Sequence, residues 1–119
     1  MSTIVVAGEV DFAPEKRDKA LEGAKPLIDM ALAEKGCKHY AWTLDPHDAG
    51  RIHVFEEWDS ADDLQVHLEA EPYQKMLAHL SGFDILNADT RKYRVECQEP
   101  VYGADGVATA RFAIDGEPK

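Results

Sequence analysis

Residues 37–58 read CKHYAWTLDPHDAGRIHVFEEW, and the rest of the fold is organised around them. Cys37 to Leu44 and Arg51 to Trp58 are rich in aromatic and β-branched residues, the composition of half-buried strands. Between them Asp45-Pro46-His47-Asp48-Ala49-Gly50 is a run of turn formers. So short a connection joins antiparallel neighbours, and the two runs form a hairpin. Side chains alternate between faces along a strand. Tyr40, Trp42 and Leu44 share one face of the first strand, and Cys37, His39, Ala41 and Thr43 take the other. In the second strand Ile52, Val54, Glu56 and Trp58 oppose His53, Phe55 and Glu57. If Leu44 lies opposite Arg51, His53 opposes Trp42 and His39 opposes Glu56. That register puts the two histidines on opposite faces and turns Tyr40 and Trp42 away from Trp58.

Upstream, Thr3 to Phe12 (TIVVAGEVDF) reads as a first strand. Pro14 suits the first turn of a helix, where its missing N–H costs nothing. That helix runs from Pro14 to Lys35, with Leu21, Ala24, Leu27, Ile28, Ala31 and Leu32 along one stripe. Pro26 should kink or divide it, and Gly36 should terminate it. Downstream, Ser60 caps a second helix whose inner face carries Leu64, His67 and Leu68. Glu71-Pro72 breaks that helix, and Tyr73, Met76, Leu77 and Leu80 form the apolar face of its second piece. Thr90 to Val101 reads as a fourth strand. The order β-α-β-β-α-β is that of an α+β ferredoxin-like plait, an antiparallel sheet with its helices on one face. Residues 1–102 make this domain, and 103–119 form a tail with one more possible strand, Val107 to Ile114.

Both faces of the sheet are apolar, because strand one sends Ile4, Val6, Val10 and Phe12 one way and Val5 and Ala7 the other. Two helices cover one face only, and monomers rarely expose an apolar patch of that size. Packing sheet on sheet across a two-fold axis resolves this, giving a homodimer with Tyr40 and Trp42 at the interface. Alternatively the tail folds over the second face, or reaches onto the partner.

The chain of 119 residues fits one domain. Its net charge of −10 repels phosphate backbones and anionic membrane surfaces, so no nucleic-acid or membrane partner is expected. No apolar run has the length of a membrane span, and the N-terminal stretch lacks the pattern of a signal peptide. Cys37 and Cys97, both placed in strands, read as buried free thiols of a reducing, cytoplasmic setting.

Glu56-Glu57-Trp58-Asp59-Ser60 is followed by His67, nine residues beyond the tryptophan. Gly36-Cys37 precedes strand two with Tyr40 just inside it, and strand one closes on Phe12-Ala13-Pro14. In this order and spacing the chain resembles the antibiotic-biosynthesis monooxygenase (ABM) family over about residues 3–100. The resemblance implies a dimeric α+β barrel with a pocket between sheet and helices in each subunit. It also implies a range of activities: cofactor-free oxidation of phenols or quinols with molecular oxygen, haem degradation, or isomerisation of small metabolites. The haem-degrading branch resembles this chain at Trp58, but its strand-one asparagine falls near Gly8 and its axial histidine near Leu68, one residue past His67.

A cofactor-free oxygenase needs an apolar pocket, a base and exclusion of water. His67 is the candidate base, with Trp58 as a flat wall and Glu56, Tyr73 and Met76 as further substrate contacts. Each also has a plain structural reading: His67 as a hydrogen-bonded core histidine, Trp58, Tyr73 and Met76 as core packing, and Glu56 as a paired carboxylate. His39, His47 and His53 have no metal-ligand spacing, and no Gly-rich nucleotide loop occurs, so neither metal nor cofactor is expected. The expected function is cofactor-independent monooxygenation of a phenolic or quinol-like aromatic. Alternatives are an isomerase or lyase of a small carbonyl metabolite, and a non-catalytic ligand-binding or stress-response dimer.

Overall fold

The computed structural model describes residues 2–116. Strand β1 (Thr3–Asp11) leads into α1 (Pro14–Leu32), the hairpin β2 (Cys37–Leu44) and β3 (Arg51–Trp58), the helices α2 (Ala61–Glu69) and α3 (Glu71–Ser81), and β4 (Asn87–Val95). The sheet is antiparallel in the order β2-β3-β1-β4, with the helices on one face, as an α+β ferredoxin-like plait requires.

The hairpin register differs from expectation by one residue. Leu44 pairs with Ile52, Trp42 with Val54 and Tyr40 with Glu56, with an irregularity between Cys37 and His39. The loop sets this register. The Asp45 carboxylate accepts from the backbone N–H groups of His47 and Asp48, and the Asp45 N–H donates to the Arg51 carbonyl. Arg17 of α1 clamps the same loop by donating to the carbonyls of Asp45 and Asp48. Since a one-residue slip exchanges the two faces of a strand, Tyr40 and Trp42 point toward the helices together with Glu56 and Trp58. They are not on the open face, and His39 and His53 are both on it.

Pro26 lies within α1 without dividing it. It sits on the exposed side of the helix, where water can satisfy the Glu22 carbonyl that its missing N–H leaves free. The helix ends at Leu32, short of Lys35, and the chain turns through Gly36, whose φ is +80°. A side chain there would be strained and would also strike Asp63. The break at Pro72 is as expected: without its N–H the α2 ladder cannot continue, and the Gln74 side chain donates to the Leu68 carbonyl instead. Ser60 caps α2 by accepting from the Asp63 N–H at 3.1 Å.

β4 starts at Asn87 rather than Thr90 and ends at Val95 rather than Val101, because its partner β1, Thr3–Asp11, pairs with Asn87 to Val95 and no more. Cys97 therefore lies beyond the strand, exposed, while Cys37 is half-buried. The stretch from Val107 to Ile114 is not a strand of this chain. Around it lie a turn through Gly106, closed by the Tyr102–Ala108 bridge, and a short helical turn, Ala113–Asp115, capped by the Glu99 carboxylate. The radius of gyration is 16.8 Å, against roughly 13–14 Å for a compact chain of this length. The tail thus stands off the body and leaves the open face uncovered, with Phe55 and Tyr93 about half exposed.

The core has two parts. Val10, Phe12, Ala20, Ala24, Ile52, Val54, Met76 and Leu80 pack at one end. Ile4, Ala31, Tyr40, Trp58 and Leu64 pack at the other. Residues from both parts border the gap between sheet and helices.

Candidate functional site

That gap is a cavity of about 370 Å³, within the size range of small-molecule sites. Val6, Val10 and Val54 of the sheet and Leu64, Leu68, Leu77 and Leu80 of the helices make its wall apolar. Glu56, Tyr73, Trp42 and Thr90 supply the polar groups, and Met76 completes the helical side. Of the residues expected to contact a ligand, Glu56, Tyr73 and Met76 line the cavity. Trp58 and His67 do not: both are fully buried behind the lining.

Glu56 is a buried carboxylate, 6% exposed. Burial pushes its carboxyl above the ordinary range, and the nearby Glu34 adds to the rise. The Trp58 indole N–H, donating to Oε1 at 2.9 Å, and the charge of His67 oppose it. Alternation places Glu56 and Trp58 on the same face two residues apart, so β3 alone sets this hydrogen bond.

His67 is held in an aromatic box. Its ring lies 4.6 Å from the Trp58 ring, 5.3 Å from Tyr40 and 5.4 Å from Tyr73, centroid to centroid. Nδ1 is 2.5 Å from Glu34 Oε1, and Nε2 has no hydrogen-bond partner in the protein. Glu34 is the functional candidate that sequence reasoning missed. It sits in the turn after α1, 33 residues from His67, and no local pattern marks it.

Burial raises the Tyr40 hydroxyl well above its usual range and the Tyr73 hydroxyl to a lesser degree, with Glu56 adding to both. Both remain neutral donors at physiological pH. The Cys37 thiol is pushed up to about 11 by burial and by Glu56 and Glu34, which leaves it a poor nucleophile. Among the described residues no group of three or more His, Cys, Asp and Glu is placed to hold a metal ion. His53 instead pairs with Asp45 at 2.6 Å. Gly8 pairs with Thr90, and a Cβ there would come within 2.1 Å of the Asp89 carbonyl oxygen. This position therefore has no room for the asparagine of the haem-degrading branch.

Residues 3–79, covering β1 through most of α3, match the family described as antibiotic biosynthesis monooxygenase. The chain belongs to the antibiotic biosynthesis monooxygenase family. Among curated relatives, a Bacillus subtilis protein named "Putative monooxygenase YcnE" is 26% identical over 96 residues, covering 81% of this chain and 99% of that protein. An uncharacterized Synechocystis protein is 22% identical over 92 residues, covering 77% of this chain and 63% of that protein, under two thirds of its length. Among solved structures, one from Deinococcus radiodurans titled as an antibiotic biosynthesis monooxygenase superposes with a TM-score of 0.77 at 16% identity, covering 84% of this chain and 99% of its own. A conserved protein of Methanosarcina mazei gives 0.71 at 25% identity, covering 79% and 93%. Among the described residues no helix is long and apolar enough to cross a membrane.

Proposed function

We propose that this protein is a cofactor-independent monooxygenase that binds a phenolic or quinol-like aromatic in the cavity between sheet and helices. The observation that carries this reading is Glu56: one buried carboxylate on a largely apolar wall, raised above its ordinary range by burial and fixed by Trp58. Such a group takes the proton of a bound hydroxyl, and the anion left behind is a better electron donor to oxygen. One oxygen atom of O2 enters the substrate and the other leaves as water, so a CH2 becomes C=O and the substrate supplies all four electrons. Tyr73 and Met76 flank the ring. Trp58 and His67 act from behind the lining, Trp58 by holding Glu56 and His67 as a second basic group.

Oxygen uptake over a panel of phenols and quinols, with isotopically labelled O2, tests this. One labelled atom in the product is expected, with turnover falling on the order of 100-fold in Glu56→Gln. Turnover of a small carbonyl compound under strict anaerobiosis would instead make the protein an isomerase or lyase, since a buried carboxylate serves that chemistry equally. Tight binding without any product would leave a binding protein.

The assembly belongs to the same proposal. The open face presents Val5, Ala7, Ala41, Phe55 and Tyr93 as ladder neighbours, and a second copy covers it across a two-fold axis. The domain is residues 1–102. The tail, residues 103–119, carries exposed Val107, Phe112 and Ile114, apolar groups suited to contact with the partner.

A further inference from the structure

His67 is the most buried polar group beside the cavity. Its two nitrogens are in different situations. Nδ1 meets the Glu34 carboxylate, while Nε2 is buried and finds no protein partner. A buried N–H without an acceptor is rarer in proteins than a buried acceptor without a donor. The arrangement with fewest violations puts the proton on Nδ1, donating to Glu34, and leaves Nε2 as a bare lone pair. The ring lies against groups that line or brace the cavity wall. Tyr73, which the ring contacts edge-on, lines the cavity, and Trp58, under its face, holds Glu56.

We propose that Glu34 is a positioning residue that keeps the His67 proton on Nδ1, making Nε2 a buried proton acceptor directly behind the cavity wall formed by Glu56 and Tyr73. The inference rests on the reading of Glu56 as the group that meets the ligand. When Glu56 is charged, a proton on Nε2 turns His67 into a cation between two carboxylates, Glu34 by hydrogen bond and Glu56 through space. The titratable groups facing the ring are Glu34 from the turn after α1, Tyr40 from β2, Glu56 from β3 and Tyr73 from α3, with Cys37 beside the carboxylates. Glu34 is partly exposed, its side chain 20% accessible, so the dyad also joins the interior to solvent on the α1 side.

Nitrogen-15 correlation spectra of the imidazole rings test this without substrate or oxygen. In the unaltered protein neutral His67 is expected to carry its proton on Nδ1. In Glu34→Gln the amide is a weaker acceptor and can itself donate, and the share of that tautomer is expected to fall. In His67→Gln the carbon-13 titration midpoint of Glu56 is expected to rise, because the acceptor that can take up a proton as Glu56 ionises is gone. A neutral His67 protonated on Nε2, an unchanged tautomer in Glu34→Gln, or an unmoved Glu56 midpoint in His67→Gln would each overturn the proposal. The tautomer in the unaltered protein is informative even where a variant folds poorly. These readouts are independent of the activity assays, so failure of the oxygenase reading and failure of the dyad are separate results.

Discussion

The Trp58 indole N–H donates to the Glu56 carboxylate at 2.9 Å from two positions further along the same strand. The bond steadies the charged form of Glu56, but burial outweighs it and the carboxyl remains raised above its ordinary 4.5. The folded protein then holds this proton over a pH window in which the unfolded chain has released it. Stability from this group is full below about pH 4.5 and is lost as pH rises through the raised value. Glu56→Gln keeps an acceptor for Trp58 and removes the ionisation. The variant is expected to unfold at a higher temperature than the unaltered protein above that window, with the gap closing below pH 4.5. Calorimetry on both sides of the window measures it, and a gap independent of pH would place Glu56 in a solvent-like environment.

Gly8 lies opposite Thr90 in the β1–β4 ladder with no space beside it. A Cβ would press on the Asp89 carbonyl oxygen and the Thr90 Cα, which are backbone atoms that cannot rotate away. Gly8→Ala is expected to cost about 3 kcal/mol or more, read as a lowered urea midpoint. Amide exchange should speed up in β4 more than in the β2–β3 hairpin, since β1 pairs with β4 at this point.

The limits of the hairpin strands are legible in the sequence because composition changes sharply at Asp45 and Arg51. Their register is not, because it depends on how the loop folds: the Asp45 carboxylate gathers two backbone N–H groups and Arg17 reaches in from α1. One residue of slip moves Tyr40 and Trp42 from the open face to the cavity side. The apolar helix face containing His67 is legible from its spacing with Leu64 and Leu68. Its partner Glu34 is not, because the contact spans two elements and a turn. The depth of His67 and Trp58 behind the lining is likewise a matter of packing, which periodicity does not carry.

Ser60 offers a local test of helix capping beside the site. Its hydroxyl accepts the Asp63 N–H and is buried. Ser60→Ala is expected to cost about 1 kcal/mol, with an unchanged denaturant slope because the surface exposed on unfolding is the same. α2 carries His67, so the same variant should broaden the His67 ring signals. Unchanged stability would mean that packing alone fixes the start of α2.

The proposed dimer closes on the open face. Phe55 stands opposite Ala7 on one side and Ala41 on the other, and Tyr93 stands opposite Val5. These contacts form one patch that neither helix nor tail covers, and Phe55 is its largest central group. A charge there must be buried without a partner if two sheets close on each other. Phe55→Asp is therefore expected to weaken dimerisation by about 30-fold or more. Val66→Asp, an exposed apolar position on α2, should leave it unchanged, because α2 faces away from the patch. Sedimentation across a concentration series measures both. If the unaltered protein sediments as a single subunit throughout, or both variants dissociate alike, the exposed side of the sheet is not where two copies meet.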